Sequence, residues 1–499
     1  MLATLALPLT LAAATPAPAR ADEPPPVAAE EYAARRARVA EAIGPDALLL
    51  LVSPAPQIRN GDVEWPYRQD DDLYYLSGVT GPATALVLLP GEESHAEVLF
   101  ARDRDPLAEA WTGPIPSHQE VAAASGVAEV HPSGGERSLL AAALAGTRWG
   151  PGEVYRYYRP PVAPRFHQAV RAGRASVWLD LGNRGFEGGG GHALALAGEV
   201  RAAWPEVEIR DAAPLLFALR EVKSAAEVAH VEHAIEITEA AIAAGMRRAL
   251  SAETENQVAA VVEATFLDRG ACCWAFPSIV AAGANTTILH YPAGRAPVPE
   301  GGLVLLDVGA DYRGYAADVS RTFPADGTFS PEQRAIYDAV HGAWQAALPQ
   351  LRAGNRYVDV HLATLDYLAE RLLDLGLVAA AERDQAALYF FHGLGHPLGM
   401  QTHDEFDRLR KLEAGMIWSL EPGLYVRPAD IEASAVFEAL DDAAQARIRA
   451  ALERYAGIGV RIEDDVLITE GAPRVLSDGA PRDPDAIEAA MAEMKERPR

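Results

Sequence analysis

The segment LVLLDVGADYRGYAADVSRTF carries two aspartates, Asp307 and Asp318, on what read as the two strands of one hairpin, with Asp311 to Gly314 as the turn. A turn centred between Tyr312 and Arg313 would oppose the two aspartates directly, with their Cβ atoms about 5 Å apart on one face. Two anions so placed destabilise each other unless cations lie between them, and the spacing suits a pair of metal ions about 3.5–4 Å apart. Further along, FFHGLGHPLGMQTHD supplies His392, His396 and His403. The apolar run of MIWSLEPGLYV ends at Glu421, before a Pro422-Gly423 turn. In GVRIEDDVLIT, alternation puts Arg461, Glu463 and Asp465 on one strand face. Four carboxylates (Asp307, Asp318, Glu421, Glu463) and the imidazole of His396 thus have the composition of a two-metal hydrolytic site. Together and without metal they would repel and desolvate one another.

Several neighbours have other readings. Asp311 and Asp326 stand in turn-like contexts and are expected to form turns. Arg461 can pair with a nearby carboxylate and orient it, with a surface salt bridge as the alternative for both Arg461 and Asp465. Pro397 and the glycines around it argue against a helix, so the four-residue spacing of His392 and His396 need not bring both to one metal. Cys272 and Cys273 are adjacent and ill suited to a disulfide. Their surroundings, Ala271, Trp274, Ala275 and Phe276, predict two small buried side chains.

The elements that must position these groups fall into two parts, as the length of 499 residues leads one to expect. Helical patterning around Glu31 to Ile43 leads into an apolar strand, Ala47 to Val52. Further strand-like runs, Ala85 to Leu89, Glu97 to Phe100 and Ser176 to Leu181, alternate with Ala-rich helical stretches in an α/β layer. The run Gly188 to Gly191 lacks the Lys-Ser/Thr ending of a phosphate loop and reads as a surface turn. A boundary is legible near Leu219, because Ser224 and Glu227 form a capping box that opens a long amphipathic helix. The expected domains are therefore 28–219 and 220–480.

Composition narrows the partners. With 44 basic and 70 acidic side chains the net charge is −26, which repels nucleic acid and anionic membrane surfaces. Met1 to Ala21 resembles a signal peptide cleaved after Ala19 or Ala21, although no Lys or Arg precedes its apolar run. Export to the periplasm or medium is the expectation if that signal works, and a cytoplasmic location otherwise. No stretch reaches the ~20 apolar residues of a membrane span.

The blocks ILHYPAG, LLDVGADYRGYAADVSRTFP, HGLGHPLGMQTHD, SLEPGLYV and GVRIEDDVLIT resemble, in order and spacing, the signatures of the pita-bread metallopeptidases, nearest to the aminopeptidase P and prolidase branch. YRQDDDLYYLSGV, Tyr67 to Val79, resembles the start of that branch's creatinase-like N-terminal domain. The resemblance implies an α/β (α+β) chain with a C-terminal pita-bread catalytic domain behind a creatinase-like α/β domain. It makes Asp307, Asp318, His396, Glu421 and Glu463 the metal ligands, with Asp318 and Glu463 bridging. His290, His392 and His403 fall on the family's non-ligand histidines, which contact substrate and the developing oxyanion; Glu421 carries the proton and Arg461 supports the ligands. Two divalent ions are implied. Hard oxygen ligands suit manganese, with zinc and cobalt left open. The implied activity is release of the first residue from peptides with proline second, and assembly is expected to be homo-oligomeric, a dimer or tetramer. Prolidase, which cleaves Xaa-Pro dipeptides, is the alternative, because the helical insertion Ile431 to Tyr455 is similar to the prolidase side. A binding module that had lost the chemistry would have lost ligands, and none is missing.

Overall fold

Strand Ala47–Val52 runs through the core of its sheet: five of its six residues are 2% exposed or less. The computed structural model describes residues 23–150, 160–182, 191–407 and 409–496. The leader-like Met1 to Ala21 and all but the last residue of the run Gly188 to Gly191 lie outside them. The chain divides into two units, Met1–Leu219 and Arg220–Arg499.

In the first unit, Ala47–Val52 pairs in parallel with Ser176–Leu179 and antiparallel with Ala85–Leu88, inside a six-stranded sheet. Glu97–Ala101 and Val130–Pro132 extend it on one side, and Glu208–Asp211 on the other. Helices Glu136–Ala145, Pro164–Arg171 and Gly191–Ala203 supply Leu140, Phe166 and Leu196 to the core that buries Leu48, Leu50, Val87 and Val177. Leu49, Leu51, Leu86 and Leu99 are buried as well, so both sheet faces are covered. That is why these strands read as unbroken apolar runs rather than alternating ones. Each fully buried leucine or valine contributes roughly 1.5–3 kcal/mol.

The second unit opens with helix Ala225–Ala249, whose Ser224 hydroxyl accepts from the Glu227 amide while the Glu227 carboxylate accepts from the Ser224 amide. This helix packs with Glu255–Asp268 and with the hairpin strands that carry the aspartates. Ile279–Ala282, Leu303–Val308 and Val319–Pro324 form an antiparallel sheet, while Cys273–Trp274, Ala310–Tyr312 and Tyr315–Ala316 form a smaller one. A second antiparallel system joins Ile417–Leu420 to Asp464–Leu467 and Gly423–Tyr425 to Gly459–Arg461. The segment read as a helical insertion is three helices, Pro428–Glu432, Ala435–Glu438 and Asp442–Tyr455. Among the described residues no helix is long and apolar enough to cross a membrane.

Three local expectations need correction. The hairpin turns one residue later than expected, over Arg313 and Gly314, which have φ of 52° and 78°. Two consecutive left-handed residues are the signature of a two-residue hairpin loop that follows strand twist, and the Asp311 carboxylate fixes it by accepting from the Gly314 amide at 2.8 Å. Asp307 therefore lies opposite Ser320, and the two aspartates are diagonal neighbours rather than directly opposed. Pro422-Gly423 interrupts two successive strands instead of reversing the chain. Cys272 and Cys273 are exposed, because Ala271 alone of that pair's immediate apolar flank enters the core.

Candidate metal centre

Three close approaches of backbone assemble the site. Ala317 donates its amide to the carbonyl of Ala310, which brings the Asp318 end of the hairpin against Gly309. A Cβ at Gly309 would run into the carbonyl of Ala317, so only glycine fits there. The non-helical segment holding His396 lies along the Glu421 strand: Glu421 donates to Leu394 at 2.8 Å, Ser419 to His396 at 2.8 Å and Leu398 to Ile417 at 3.0 Å. Gly395 is required in turn, since a Cβ there would meet the Ser419 carbonyl. Finally, Glu463 donates its amide to Ser320 at 3.1 Å, beside Asp318. Leu420 pairs with Asp464 and Gly423 with Arg461, so either ladder, continued into the gap between them, sets Glu421 across from Glu463.

The side chains converge accordingly. Ligand-capable atoms of Asp307, Asp318 and Glu463 lie within 4.8 Å of one another, as do those of His396, Glu421 and Glu463. His396 Nε2 is 3.4 Å from Asp318 Oδ2, 3.8 Å from Glu421 Oε1 and 4.0 Å from Glu463 Oε1. His403 joins Asp318 and His396 in a third such group, its ring centroid 4.1 Å from that of His396. His392 approaches from the other side, with Nδ1 3.5 Å from Glu421 Oε2. His290 is exposed and lies within electrostatic range of both His392 and His403. All eight expected positions are thus brought together by this unit, and of the four carboxylates His403 is grouped with Asp318.

Arg461 is buried and occupied on three sides. It donates to Asp307 Oδ2 at 2.6 Å, to the Ser320 hydroxyl at 2.9 Å and to the Tyr425 hydroxyl at 3.0 Å. Asp465 is no surface residue either: it is fully buried and accepts the Asp318 amide at 3.0 Å. The strand that was expected to carry Arg461, Glu463 and Asp465 on one face breaks at Ile462 and Glu463, and the break lets each of the three serve the centre from its own direction.

The electrostatics are those of a site built for cations. Four carboxylates face one guanidinium. Burial, then Asp307 and Asp465, push the Asp318 carboxyl well above its usual range. Burial, then Asp318 and Glu421, do the same to Glu463. Burial pushes Glu421 up to about 7 against the opposing charges of His396 and Arg461. Asp307 Oδ1 is buried with no hydrogen-bond partner, a costly condition that a bound cation would relieve. Oxygen-rich donors plus one imidazole fit divalent first-row metals. His392 and His403 go the other way. Burial, reinforced by Arg461, lowers His392 to about 3, and burial with His396 lowers His403 to about 4, so both rings are neutral at neutral pH.

Sequence reasoning missed four supporting side chains. Tyr425 bridges Arg461 and His392 Nε2, the latter at 2.9 Å, and burial pushes its hydroxyl up to about 12. Its place four residues after Glu421, in an otherwise apolar strand, was the available signal. Ser320, two residues past Asp318, donates to Glu463 Oε2 at 2.8 Å. Asp404, next to His403, is buried and pairs with Arg220 at 2.8 Å and Lys223 at 3.2 Å, both nearly inaccessible. Asp464 illustrates the contrast with the centre: burial alone would raise it, yet Arg321 and Arg482 hold it below its usual range.

The chain matches the model of metallopeptidase family M24 over residues 229–470 and that of the aminopeptidase P N-terminal domain over residues 32–149. It is 31% identical to the Xaa-Pro aminopeptidase of Haemophilus influenzae, across 93% of this chain and 97% of that one. Among solved structures it resembles Pseudomonas aeruginosa aminopeptidase PepP with a TM-score of 0.78 and 32% identity, over 94% of this chain and 99% of that one. It also resembles Escherichia coli aminopeptidase P bound to the inhibitor Pro-Leu, with a TM-score of 0.76 and 27% identity over the same shares of the two chains.

Proposed function

We propose that this chain, which belongs to metallopeptidase family M24 and carries the aminopeptidase P N-terminal domain ahead of the catalytic one, is a dinuclear-metal Xaa-Pro aminopeptidase. It releases the N-terminal residue from peptides whose second residue is proline. The observation that carries this reading is the convergence of Asp307, Asp318, His396, Glu421 and Glu463 within one buried cluster, on a chain alike end to end to proteins of that activity.

Those five residues would hold two divalent ions, manganese by the hardness of the donors, and the ions would supply a water nucleophile ionised near neutral pH and a Lewis acid for the scissile carbonyl. Glu421 accepts the proton of the attacking water at its carboxylate and returns it to the proline nitrogen as the bond breaks. His403, neutral, donates a ring N–H to the oxygen on which negative charge develops. His290 and His392 hold the peptide on either side of the scissile bond, and Tyr425 fixes the His392 ring by its hydrogen bond to Nε2. Arg461 keeps Asp307 in place and partly neutralised. An Xaa-Pro bond is a tertiary amide without N–H, so it demands a site that recognises the ring rather than the missing donor.

The same proposal extends to location and assembly: Met1 to Ala21 directs export, and the enzyme works as a homo-oligomer. N-terminal sequencing of the secreted form and light scattering test these two points.

The test of function is a set of matched peptides. An Xaa-Pro-Xaa tripeptide is expected to exceed its Xaa-Pro dipeptide by at least about tenfold in kcat/KM, roughly 1.4 kcal/mol of transition-state binding. Replacing proline with alanine is expected to cut the rate severely. A dipeptide cleaved faster than the tripeptide would assign the chain to prolidase activity instead.

A further inference from the structure

The chain has two cysteines in all, and they are adjacent. In an extended strand, neighbouring side chains point to opposite faces. Cys272 precedes the strand Cys273–Trp274 and escapes that rule: the two Sγ atoms are 2.9 Å apart, just after Gly270, where the backbone takes φ of 97°. The Cys272 amide donates to the Asp311 carbonyl at 3.0 Å, and Cys273 is the register partner of Asp311 across the small sheet. This brings an Asp311 carboxylate oxygen to the pair, so that both sulfurs and that oxygen lie within 4.8 Å of one another. The other end of the group is held by the Gly314 amide, which donates to Asp311 Oδ1. Both cysteines are exposed, while Asp311 is buried beneath them.

We propose that Cys272, Cys273 and Asp311 form a second metal site, separate from the dinuclear centre, that binds one thiophilic divalent cation such as zinc through two thiolates and a carboxylate, with an outward position left to water. The chemistry of the donors selects the ion. Two sulfurs favour soft and borderline cations, whereas the oxygen-rich centre around Asp307 favours hard ones. Binding displaces both thiol protons to solvent as the two metal–sulfur bonds form, with no change of oxidation state. Without a cation the neighbouring Cys273 thiol, partial desolvation and the Asp311 charge push the Cys272 thiol up. Asp311 stands four residues beyond Asp307, roughly 13 Å along an extended chain, so the two sites share a hairpin but no ligand.

Because there are no other cysteines, any thiolate signal from the protein reports on this pair alone. The experiment uses reduced full-length enzyme with its dinuclear centre loaded with manganese, titrated with cadmium and, separately, zinc. One equivalent of cadmium is expected to raise a thiolate-to-metal charge-transfer absorption, and zinc is expected to slow alkylation of both thiols by a maleimide at least about tenfold. Cys272→Ser and Cys273→Ser should each abolish both effects while leaving manganese-dependent peptide hydrolysis unchanged. Asp311→Asn keeps the acceptor for Gly314 and should weaken cadmium binding without loss of fold. Absence of the charge-transfer band with alkylation at the metal-free rate would overturn the proposal, as would a reduced sample that closes to a disulfide before it binds metal.

Discussion

Glu421 carries the strongest pH argument at the scale of single residues. Its carboxyl is raised from the ordinary value of 4.5 to about 7, chiefly by burial. A carboxyl raised on folding holds its proton in the native state where the unfolded chain has already lost it, so stability is full below the unfolded pKa and falls as pH climbs through the folded one. Asp318 and Glu463 are raised too and add to the same trend. Metal-free protein is therefore expected to lose thermal stability from about pH 6.5 to about pH 8, above the range in which His392 and His403, lowered on folding from 6.5, act the other way, and added manganese should stabilise most at the upper end, where the ligands are ionised. Melting curves with and without metal across that range check it; a metal-free form that grows more stable toward pH 8 would contradict the electrostatic reading. The histidines divide by role. His403→Ala is expected to keep both metals and to lower kcat about 100- to 1,000-fold through the missing donor to the oxyanion, whereas Glu421→Ala should end turnover. Metal content separates the two, and since His403 is grouped with Asp318 and His396 within 4.8 Å, loss of metal from His403→Ala would make it a ligand.

Elements meet at the centre through bare backbone, and that contact is where substitution should be felt most. Gly309→Ala and Gly395→Ala each place a Cβ against a carbonyl oxygen, of Ala317 and Ser419 respectively, and neither oxygen belongs to a side chain that can swing away. Both variants are expected to lose stoichiometric metal along with stability. Gly198→Ala, in a helix with open space around it, should be neutral or stabilising by up to about 1 kcal/mol. Equal metal content in all three variants would show that the close approaches do not set the site. Asp404 anchors the His396–His403 segment to the start of the unit's first long helix through Arg220 and Lys223. Asp404→Asn leaves two buried cations without their counter-charge, a loss of roughly 3 kcal/mol or more, measurable by urea unfolding. Much of this was legible beforehand. Apolar runs gave the strands, Ser224 and Glu227 gave the helix start, and the order of the acidic and histidine blocks gave the residues that meet. Register was not legible, because a two-residue turn centred one position away looks the same in sequence, and Arg313 is an unusual residue for a left-handed turn position. Nor was the burial of Asp465 and Arg461, since a charged residue alternating along a strand reads as solvent-facing until its partners, here Asp318 and Asp307, are known.

At the scale of the whole molecule, the sheet of the first unit is covered on both faces and, among the described residues, carries no group of metal-ligating side chains, whereas the second unit is drawn together around a cluster of like charges. Chelation should thus lower the melting temperature of the second unit selectively and leave the first near its original value, a split that calorimetry would resolve. The central claim is that two divalent ions in this cluster make the chain an Xaa-Pro aminopeptidase. The most direct measurement is a titration of manganese into protein verified to be metal-free, following in one sample both metal bound and the rate at which the first residue is released from an Xaa-Pro-Xaa tripeptide. The rate is expected to rise from background and level off when two equivalents are bound per chain. Full activity before any metal is added, or two bound ions with no release of the residue before proline, would contradict it.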